Sequence, residues 1–262
     1  MPTHPPRKRF GQHFLHDQNV IDRIINAIHP ESDQFIVEIG PGRGALTLPL
    51  LERIGELHVV EFDRDLAQII SEHCKNIGTL HIHCADALEF DFCNLAEKRI
   101  RVIGNLPYNI STPLIFHLLD QLACINDMLF MLQAEVVDRM IAEPGSRTYG
   151  RLSVMVQSQC RVQKLFRVGP GAFNPPPKVE SAMVRLTPHE TPVAEIINHA
   201  AFATIVRESF NQRRKTLRNA IRYLLAAKQI ELLGIDPGLR PEQLTIRQFA
   251  SLANYYHTHM NQ

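Results

Sequence analysis

One segment near the middle of the chain carries the side chains best suited to chemistry. It has the sequence Gly104-Asn105-Leu106-Pro107-Tyr108, and it lies between an apolar strand pattern and a helix start. Asn105 offers an amide oxygen and Tyr108 a flat ring, while Pro107 favours an extended Leu106 with a projecting carbonyl. Two hydrogen-bond acceptors beside an aromatic face suit a planar heterocycle that bears an exocyclic amine.

Such a site could activate the amino group of an adenine without a strong base. The lone pair of that nitrogen is delocalised into the ring, and two acceptors on its N–H bonds would favour a more pyramidal, more reactive geometry. Tyr108 would stack on a base held outside its nucleic acid helix. The alternative is an ordinary turn after a strand, where asparagine and proline are common for backbone reasons.

The elements around this segment alternate between strand and helix patterns. Predicted strands at residues 35–39, 57–62, 80–84 and 100–104 each end within two residues of a polar or glycine position, namely Gly40, Glu61, Asp86 and Asn105. Alternation of this kind predicts a Rossmann-like, doubly wound and mostly parallel α/β sheet. Ligands bind at the carboxyl edge of such sheets, so these four positions should lie around one site.

The glycine turn after the first of these strands fits two cofactors. Read from Gly40 as G-x-G-x-x-A, the sequence fits a nicotinamide nucleotide fingerprint with Glu61 on the ribose. Read from Glu38 as E-x-G-x-G-x-G, it fits the loop that S-adenosylmethionine enzymes place beneath the methionine part of their cofactor. The acidic pair and Pro41 suit a sulfonium better than a pyrophosphate, and hydride transfer has no evident use for Asn105 and Tyr108.

Two stretches outside the alternation are predicted to be loops. One is the basic amino-terminal arm through Leu15, which precedes a helix capped by Asp17. The other is the run Phe173-Asn174-Pro175-Pro176-Pro177-Lys178, where three prolines disfavour both helix and sheet interior. Alternating residues at 179–186 then predict a closing strand, antiparallel to its neighbour.

After a linker at residues 187–192, the sequence shows helical patterns and no strand pattern. We therefore predict a catalytic domain at 1–190 and a small all-helical domain at 191–262, whose apolar residues recur at helical spacing. The second segment carries nine Lys or Arg against five Asp or Glu. We predict that its basic cluster lies along one side of a helix and contacts RNA phosphates, and that Arg147, in an earlier loop, also contacts RNA. A solvated helix face is the alternative for the cluster. The cluster comprises Arg213, Arg214, Lys215, Arg218 and Arg222.

Composition places the chain among ordinary globular proteins, with 45% hydrophobic and 21% charged residues. No apolar run approaches the roughly 18 residues of a membrane span, and we expect a cytoplasmic protein. Five cysteines without a C-x-x-C pair predict reduced, mostly buried thiols and no zinc site. His81 and His83 share one face of a strand, but without a third nearby ligand no metal site is expected.

Four motifs together resemble those of the ribosomal RNA adenine dimethyltransferase family, and within it the bacterial small-subunit (16S) branch linked to kasugamycin sensitivity. They are Arg9-Phe10-Gly11-Gln12-His13-Phe14-Leu15, the Glu38 to Gly44 loop, Asn105-Leu106-Pro107-Tyr108, and Phe173-Asn174-Pro175-Pro176-Pro177-Lys178-Val179-Glu180-Ser181. The resemblance implies S-adenosylmethionine as cofactor and two methyl transfers to each of two adjacent adenosines, in the hairpin loop near the 3′ end of small-subunit RNA. The partner would be the small ribosomal subunit or its precursor.

The resemblance also implies roles for individual residues. Tyr108 and Phe173 would clasp the target adenine, with Asn105 and the Leu106 carbonyl on its N6 and Pro107 shaping the turn. The cofactor contacts would be His13, Leu15, Gly40, Gly42, Glu61, Asp86 and Asn105. His13 stands where many relatives have asparagine, so it could contact the cofactor through its backbone or its ring.

Two rival functions remain open at this point. The large-subunit adenine dimethyltransferases that confer macrolide resistance share the catalytic motif, but the Gly-Gln-His-Phe-Leu arm and the length of the helical tail favour the small-subunit branch. A protein that acts chiefly as an assembly factor on the pre-ribosomal subunit, with methylation secondary, is the second alternative.

Overall fold

The computed structural model describes residues 12–212 and 214–259. Within them the strands are β1 (Phe14–Leu15), β2 (Phe35–Ile39), β3 (Glu56–Val60), β4 (Thr79–His83), β5 (Ile100–Asn105), β6 (Ile125–Gln133), β7 (Cys160–Val168), β8 (Phe173–Asn174) and β9 (Ser181–Pro188). The helices are α1 (Gln18–Ile28), α2 (Thr47–Ile54), α3 (Arg64–Cys74), α4 (Ser111–Leu119), α5 (Ala134–Met140), α6 (Arg151–Gln157), α7 (His199–Phe210), α8 (Leu217–Ala220), α9 (Ala227–Leu232) and α10 (Ile246–His259).

The chain divides into two compact units. The first contains the residues up to Val137 together with Gln163–Pro188, and the second contains Asp138–Val162 and the residues from His189 onward. The predicted boundary at residue 190 lies close to the observed boundary between Pro188 and His189. The prediction did not include Asp138–Val162 in the same unit as the helical segment. The reason is that α6 contacts α7, a contact between distant parts of the chain that no local sequence pattern reports.

A seven-stranded sheet organises the first unit, with the strand order β4-β3-β2-β5-β6-β9-β7. The five strands from β4 to β6 in this order run parallel, and β9 pairs antiparallel with β6. This confirms the doubly wound, mostly parallel sheet and its antiparallel closing strand. The central strand β5 is buried on both faces, with Val102 and Ile103 both 0% exposed, as expected for a sheet covered by helices on both sides.

The first helix shows how local sequence sets the edges of this architecture. Asp17 accepts hydrogen bonds from the backbone N–H groups of Asn19 and Val20 at 2.9 and 3.2 Å, which caps the amino end of α1 as predicted. Its buried face, at positions that recur three and four residues apart, packs into the core of the first unit; this face consists of Ile21, Ile24, Ile25 and Ile28.

A buried ion pair lies at the amino ends of β5 and β6. Arg101 donates from Nε and Nη2 to the two carboxylate oxygens of Asp127 at 2.7 and 3.0 Å, and its side chain is only 8% exposed. It also donates to the backbone oxygen of Ile28 at 2.8 Å, at the end of α1. Arg101 lies near the amino end of β5, whereas Asn105 lies at its carboxyl end. The ion pair therefore contributes to the stability of the fold and not to the site described below.

Two predicted loops instead pair as a short second sheet. In it β1 runs antiparallel to β8, with Phe14 opposite Asn174 and Leu15 opposite Phe173. The prolines that follow Asn174 end β8 after two residues, so the loop prediction was correct from Pro175 but wrong for Phe173 and Asn174. The arm before residue 12, including Arg9, Phe10 and Gly11 of the amino-terminal motif, lies outside the described residues.

The second unit is built mainly from helices, and α7 packs against α10 as its largest helix pair. The described members of its basic cluster do not form the predicted helix face, because α8 spans only Leu217–Ala220. Arg214 and Lys215 lie in the turn before α8, and Arg222 lies in the turn after it. The helical spacing of Leu217, Ile221 and Leu225 was real, but it arises from consecutive turns that bury these residues without a continuous helix.

The structure also tests the predictions about the cysteines and about membrane-spanning segments. Cys93 and Cys124 form a disulfide bond with a Cα–Cα distance of 5.3 Å, so the prediction of reduced thiols was wrong for this pair, and Cys84 is exposed. The pairing joins two short 3-10 turns, Phe92–Leu95 and Leu122–Cys124, that meet only in the folded chain. Among the described residues no helix has the length and apolar character needed to cross a membrane.

Candidate active site

The glycine turn after β2 forms one wall of a cavity at the carboxyl edge of the sheet. Gly40, Gly42 and Gly44 all have positive φ, at 67°, 56° and 87°, a region that side chains with a Cβ rarely adopt. A Cβ on Gly42 would also lie 3.3 Å from the ring of Phe14. The glycines are therefore required both for the sharp turn and for the close approach of the β1 segment.

The cavity encloses about 290 Å³, and the predicted cofactor contacts surround it. The strand-end residues Leu106, Pro107 and Tyr108 also line it. The predicted cofactor residues found on its wall are His13, Leu15, Gly40, Gly42, Glu61, Asp86 and Asn105. The strand-end positions from Gly40 to Asn105, 65 residues apart in sequence, thus lie around one cavity, as the strand-end rule predicted.

Two acidic side chains after neighbouring strands have well-defined partners. Glu61 accepts hydrogen bonds from the backbone N–H groups of Asp63 at 2.9 Å and Gly42 at 3.4 Å, and burial raises the pKa of its carboxyl group. Asp86 accepts one hydrogen bond through Oδ1, from the N–H of Leu88 at 2.9 Å. Both side chains are held in place by backbone donors, which fixes the direction of their carboxylates.

Glu38 is the most deeply buried acid at the site, with 2% exposure. Thr47 at the start of α2 donates its hydroxyl to Oε2 of Glu38 at 2.6 Å. Burial raises the pKa of Glu38 from 4.5 to about 7, and the negative charge of Glu61 contributes in the same direction. The sequence identified Glu38 as part of the glycine motif but gave no signal for Thr47, which lies nine residues later.

Asn105 is oriented by the amino-terminal segment. Its Nδ2 donates to the backbone oxygen of His13 at 3.2 Å, and within the described part of the chain its Oδ1 accepts no hydrogen bond. This leaves the amide oxygen of a half-buried residue on the cavity wall as an available acceptor. The N–H of Leu106 donates to the oxygen of Met131 at 3.2 Å, which fixes the peptide that follows.

Gly104 explains why the strand can end so close to the glycine turn. A Cβ at this position would lie 2.5 Å from the backbone oxygen of Ile39, closer than real Cβ contacts allow. Because β5 pairs directly with β2, only glycine permits Asn105 to follow at this separation. The glycine of the motif is therefore a packing requirement of the sheet.

Tyr108 lies on the cavity wall with its hydroxyl 2.7 Å from Oγ of Ser181. Burial raises the pKa of its phenol, so this group remains neutral. The ring of His13 lies 5.5 Å from that of Tyr108, and Nδ1 of His13 contacts the oxygen of Pro175 at 2.7 Å. Tyr108 is therefore supported directly by Ser181 of β9 and, through His13, by Pro175 of the proline-rich segment.

Phe173 does not line the cavity with Tyr108. Its ring is 2% exposed and belongs to the hydrophobic core of the first unit, beneath the β1–β8 pair. The strand pairing that the sequence did not predict turns this side chain inward. Its proposed contact with the target base therefore stays a prediction that this arrangement does not support.

Phe62 is a cavity residue that the sequence analysis missed. It follows Glu61 directly, lines the cavity and is 60% exposed, which is unusual for a large hydrophobic side chain. The sequence did contain a signal for this role, because Phe62 lies between the strand-end Glu61 and the helix-capping Asp63. A side chain in such a short connection does not reach the hydrophobic core. Its ring could cover the adenine of a nucleoside held by Glu61.

The predicted RNA contacts that the structure describes belong to the second unit. Arg147, Arg214, Lys215, Arg218 and Arg222 are exposed. Arg213 lies outside the described residues. The guanidinium of Arg222 lies 4.5 Å from the ring centre of Tyr223, which is 83% exposed. This exposed pair of a cation and an aromatic ring adds a possible stacking surface that the sequence analysis did not include.

The sequence matches the family model described as "Ribosomal RNA adenine dimethylase" over residues 3–258. The chain belongs to the ribosomal RNA adenine dimethylase family. It is 54% identical over 255 residues to the ribosomal RNA small subunit methyltransferase A of Nitrosococcus oceani, covering 97% of both chains. It is 56% identical over 253 residues to the protein of that name from Pseudomonas savastanoi, covering 96% of this chain and 94% of the relative.

Solved structures agree with this membership. A dimethyladenosine transferase from Plasmodium falciparum superposes with a TM-score of 0.80 and 26% identity, covering 94% of this chain and 98% of that one. The 23S rRNA methyltransferase ErmE superposes with a TM-score of 0.72, covering 93% and 99%; at 22% identity this likeness concerns the fold alone.

As a dimethylase, the chain is an enzyme that methylates adenine in ribosomal RNA with S-adenosylmethionine as cofactor. The two interpretations of the glycine turn are thereby decided in favour of the sulfonium cofactor. The observed site agrees with this cofactor, because two buried acids, Glu38 and Glu61, line the cavity beside the turn and would repel a pyrophosphate.

Proposed function

We propose that this enzyme dimethylates N6 of two adjacent adenosines in the 3′-terminal hairpin loop of 16S rRNA, within the small ribosomal subunit or its precursor. The relatives named for small-subunit RNA support this choice of substrate. Since that substrate forms during ribosome assembly, we also propose that the reaction occurs in the cytoplasm and is coupled to small-subunit biogenesis.

The orientation of Asn105 is the observation that carries this proposal. Donation from Nδ2 to the oxygen of His13 leaves Oδ1 to accept a hydrogen bond from the substrate amine. The carbonyl of Leu106 would accept the second N–H, and the ring of Tyr108 would stack on the base. Hydrogen bonds to acceptors placed in advance cost little reorganisation as the nitrogen becomes pyramidal and begins to carry charge.

The cofactor supplies an electrophilic methyl group on a sulfonium centre. Glu61 would accept hydrogen bonds from the ribose hydroxyls, and Asp86 would accept from the adenine amine through the oxygen that Leu88 does not use. Phe62 would cover the adenine ring. The glycine turn would pass beneath the methionine portion, with Glu38 behind it, and the positive sulfonium would favour the ionised form of this carboxyl group.

Double methylation places a further demand on the site. After the first transfer N6 keeps one proton, so the site must bind the nitrogen through one acceptor and accommodate a methyl group beside the other. Asn105 and Leu106 provide two equivalent acceptors, and we propose no dedicated general base. A proton lost from the methylated nitrogen can leave to solvent once the positive charge makes it strongly acidic.

The exposed cations of the second unit would hold the RNA by its phosphates. Arg147, Arg214, Lys215, Arg218 and Arg222 are placed for such contacts by their exposure. The stacked pair of Arg222 and Tyr223 would contact an unpaired base, in the manner of proteins that bind single-stranded loops. These contacts would position the subunit without reading the target adenines directly.

The proposal is tested by incubating the enzyme and S-adenosylmethionine with small subunits from a strain that lacks this modification. Digestion and mass spectrometry should detect N6,N6-dimethyladenosine, and fragment mapping should place it at two adjacent positions in the 3′-terminal hairpin. Large subunits are the matched control and should remain unmodified. Modification elsewhere would refute the substrate, and binding of subunits without any transfer would point to an assembly factor.

A further inference from the structure

A histidine cluster lies on the outer strands of the sheet, away from the catalytic cavity. Parallel pairing places His58 of β3 opposite His81 of β4, and Glu56 lies two residues before His58 on the same face. Nε2 of His81 is 2.8 Å from Oε1 of Glu56. One ligand atom from each of these three side chains lies within 4.8 Å of the other two.

We propose that Glu56, His58 and His81 form a binding site for a divalent transition metal of the zinc class. Imidazole nitrogen and carboxylate oxygen are preferred ligands of Zn²⁺, bound at about 2.1 Å in a tetrahedron. That geometry requires ligand atoms about 3.4 Å apart, by the same bond lengths. The observed spacings run from 2.8 Å between His81 and Glu56 up to a limit of 4.8 Å, so side-chain rotation without movement of the strands can bring the three atoms to this spacing.

Neighbouring rings hold the histidines in nearly parallel planes. The ring of His58 stacks on that of His81 with centres 4.3 Å apart and on the other side meets Phe35, also at 4.3 Å. The lone pair of an imidazole nitrogen lies in the plane of its ring, so two stacked rings cannot direct both lone pairs at one ion. Metal binding therefore requires the ring of His81 to rotate out of this stack, while the contact with Phe35 holds the ring of His58.

His83 supplies the supporting contact that metal-bound histidines usually have. Its Nε2 lies 3.1 Å from Nδ1 of His58. When Nδ1 of His58 carries the proton, it donates a hydrogen bond to Nε2 of His83, and the lone pair on Nε2 of His58 remains for a metal. A hydrogen bond of this type orients the ligand ring and selects its tautomer.

The position of the cluster allows a metal to enter from solvent. β4 is the edge strand of the sheet, and the side chains of His81 and Glu56 are 42% and 64% exposed. Three protein ligands leave the fourth position of a tetrahedron to water. A bound metal would tie the edge strand β4 to β3, so its effect should be on stability and not on methyl transfer.

The test is calorimetric titration of the full-length, chelator-treated enzyme with Zn²⁺ alone. The wild type should bind one equivalent, and its thermal midpoint should rise with metal. His81→Gln and Glu56→Gln should each weaken binding at least tenfold. His73→Gln, which removes an exposed histidine on α3 outside the cluster, and Cys84→Ser, which removes the exposed thiol beside His83, are the controls and should bind normally.

Several outcomes would overturn the site. Wild-type enzyme that binds no stoichiometric Zn²⁺ would do so, as would His81→Gln and Glu56→Gln variants with unchanged affinity. Loss of binding in Cys84→Ser with normal binding in His81→Gln would assign the metal to the thiol instead. Midpoints measured without metal show whether each variant is folded, and Co²⁺ absorption of the wild type gives a second readout, since a tetrahedral site absorbs strongly in the visible range.

Discussion

Replacing Glu38 with glutamine should remove a pH-dependent loss of stability from the cofactor-free enzyme. Burial holds the pKa of this carboxyl group at about 7 in the folded chain, above the 4.5 of an exposed glutamate. The folded protein therefore retains a proton that the unfolded chain releases between these values. The stabilising effect of this group is complete below about pH 4.5 and is lost as the pH rises through about 7.

The size of the effect follows from the same two values. A rise from 4.5 to about 7 corresponds to a total of about 3 kcal/mol. Between pH 5 and pH 8 the wild type should lose about 2 to 3 kcal/mol of unfolding free energy through this group. Glutamine has nearly the same shape and can accept the hydrogen bond of Thr47, but it has no proton to lose in this range.

Urea unfolding of the wild type and Glu38→Gln at several pH values between 5 and 8 measures this difference. The variant should be nearly as stable as the wild type at pH 5 and more stable at pH 8. Thr47→Val is a useful companion, since it removes the hydrogen bond to Glu38 without changing a titrating group. Parallel pH profiles for the wild type and Glu38→Gln would refute the assignment of a raised pKa to Glu38.

Three further predictions concern the ion pair, the stacking face and the RNA contacts. Arg101→Met should destabilise the fold by about 3 kcal/mol in urea unfolding, because it leaves the buried carboxylate of Asp127 with only the more distant Arg185, whose Nε lies 3.9 Å away. A loss below about 1 kcal/mol would contradict this, and adding Asp127→Leu should recover part of it. Tyr108→Ala should slow single-turnover methylation by about 10- to 100-fold through lost stacking, whereas Tyr108→Phe keeps the ring and should stay close to wild type; equal losses would assign the effect to the hydroxyl. Arg214→Ala with Lys215→Ala should reduce the salt slope of subunit binding by about 2, and an unchanged slope would remove both residues from the interface.

The parts of the fold that sequence predicted depend on local patterns. The burial of β5 and the capping of α1 by Asp17 follow from apolar runs and a single capping residue, so both could be predicted. The site residues Glu61 and Asn105 follow from the rule that strand ends meet at one edge of the sheet. In each case a few adjacent residues contain the necessary information.

The features that sequence missed depend on contacts between distant segments. The pairing of β1 with β8 joins residues about 160 positions apart, and it buries Phe173, which the family resemblance placed at the target base. The Cys93–Cys124 disulfide and the proximity of Glu56 to His81 have the same origin. Such contacts follow from the arrangement of the whole sheet, which a local pattern cannot specify.

The most direct test of the account is single-turnover methylation of unmodified small subunits by Asn105→Ala. The variant loses the acceptor oxygen, so we predict a fall of about 100- to 1000-fold in the transfer rate. Since Asn105 also lines the cofactor cavity, the rate is measured at saturating S-adenosylmethionine, and binding of the subunit should remain within a few-fold of wild type. Transfer at the wild-type rate by a variant that binds the subunit normally would contradict the role of Asn105 in activating the substrate amine.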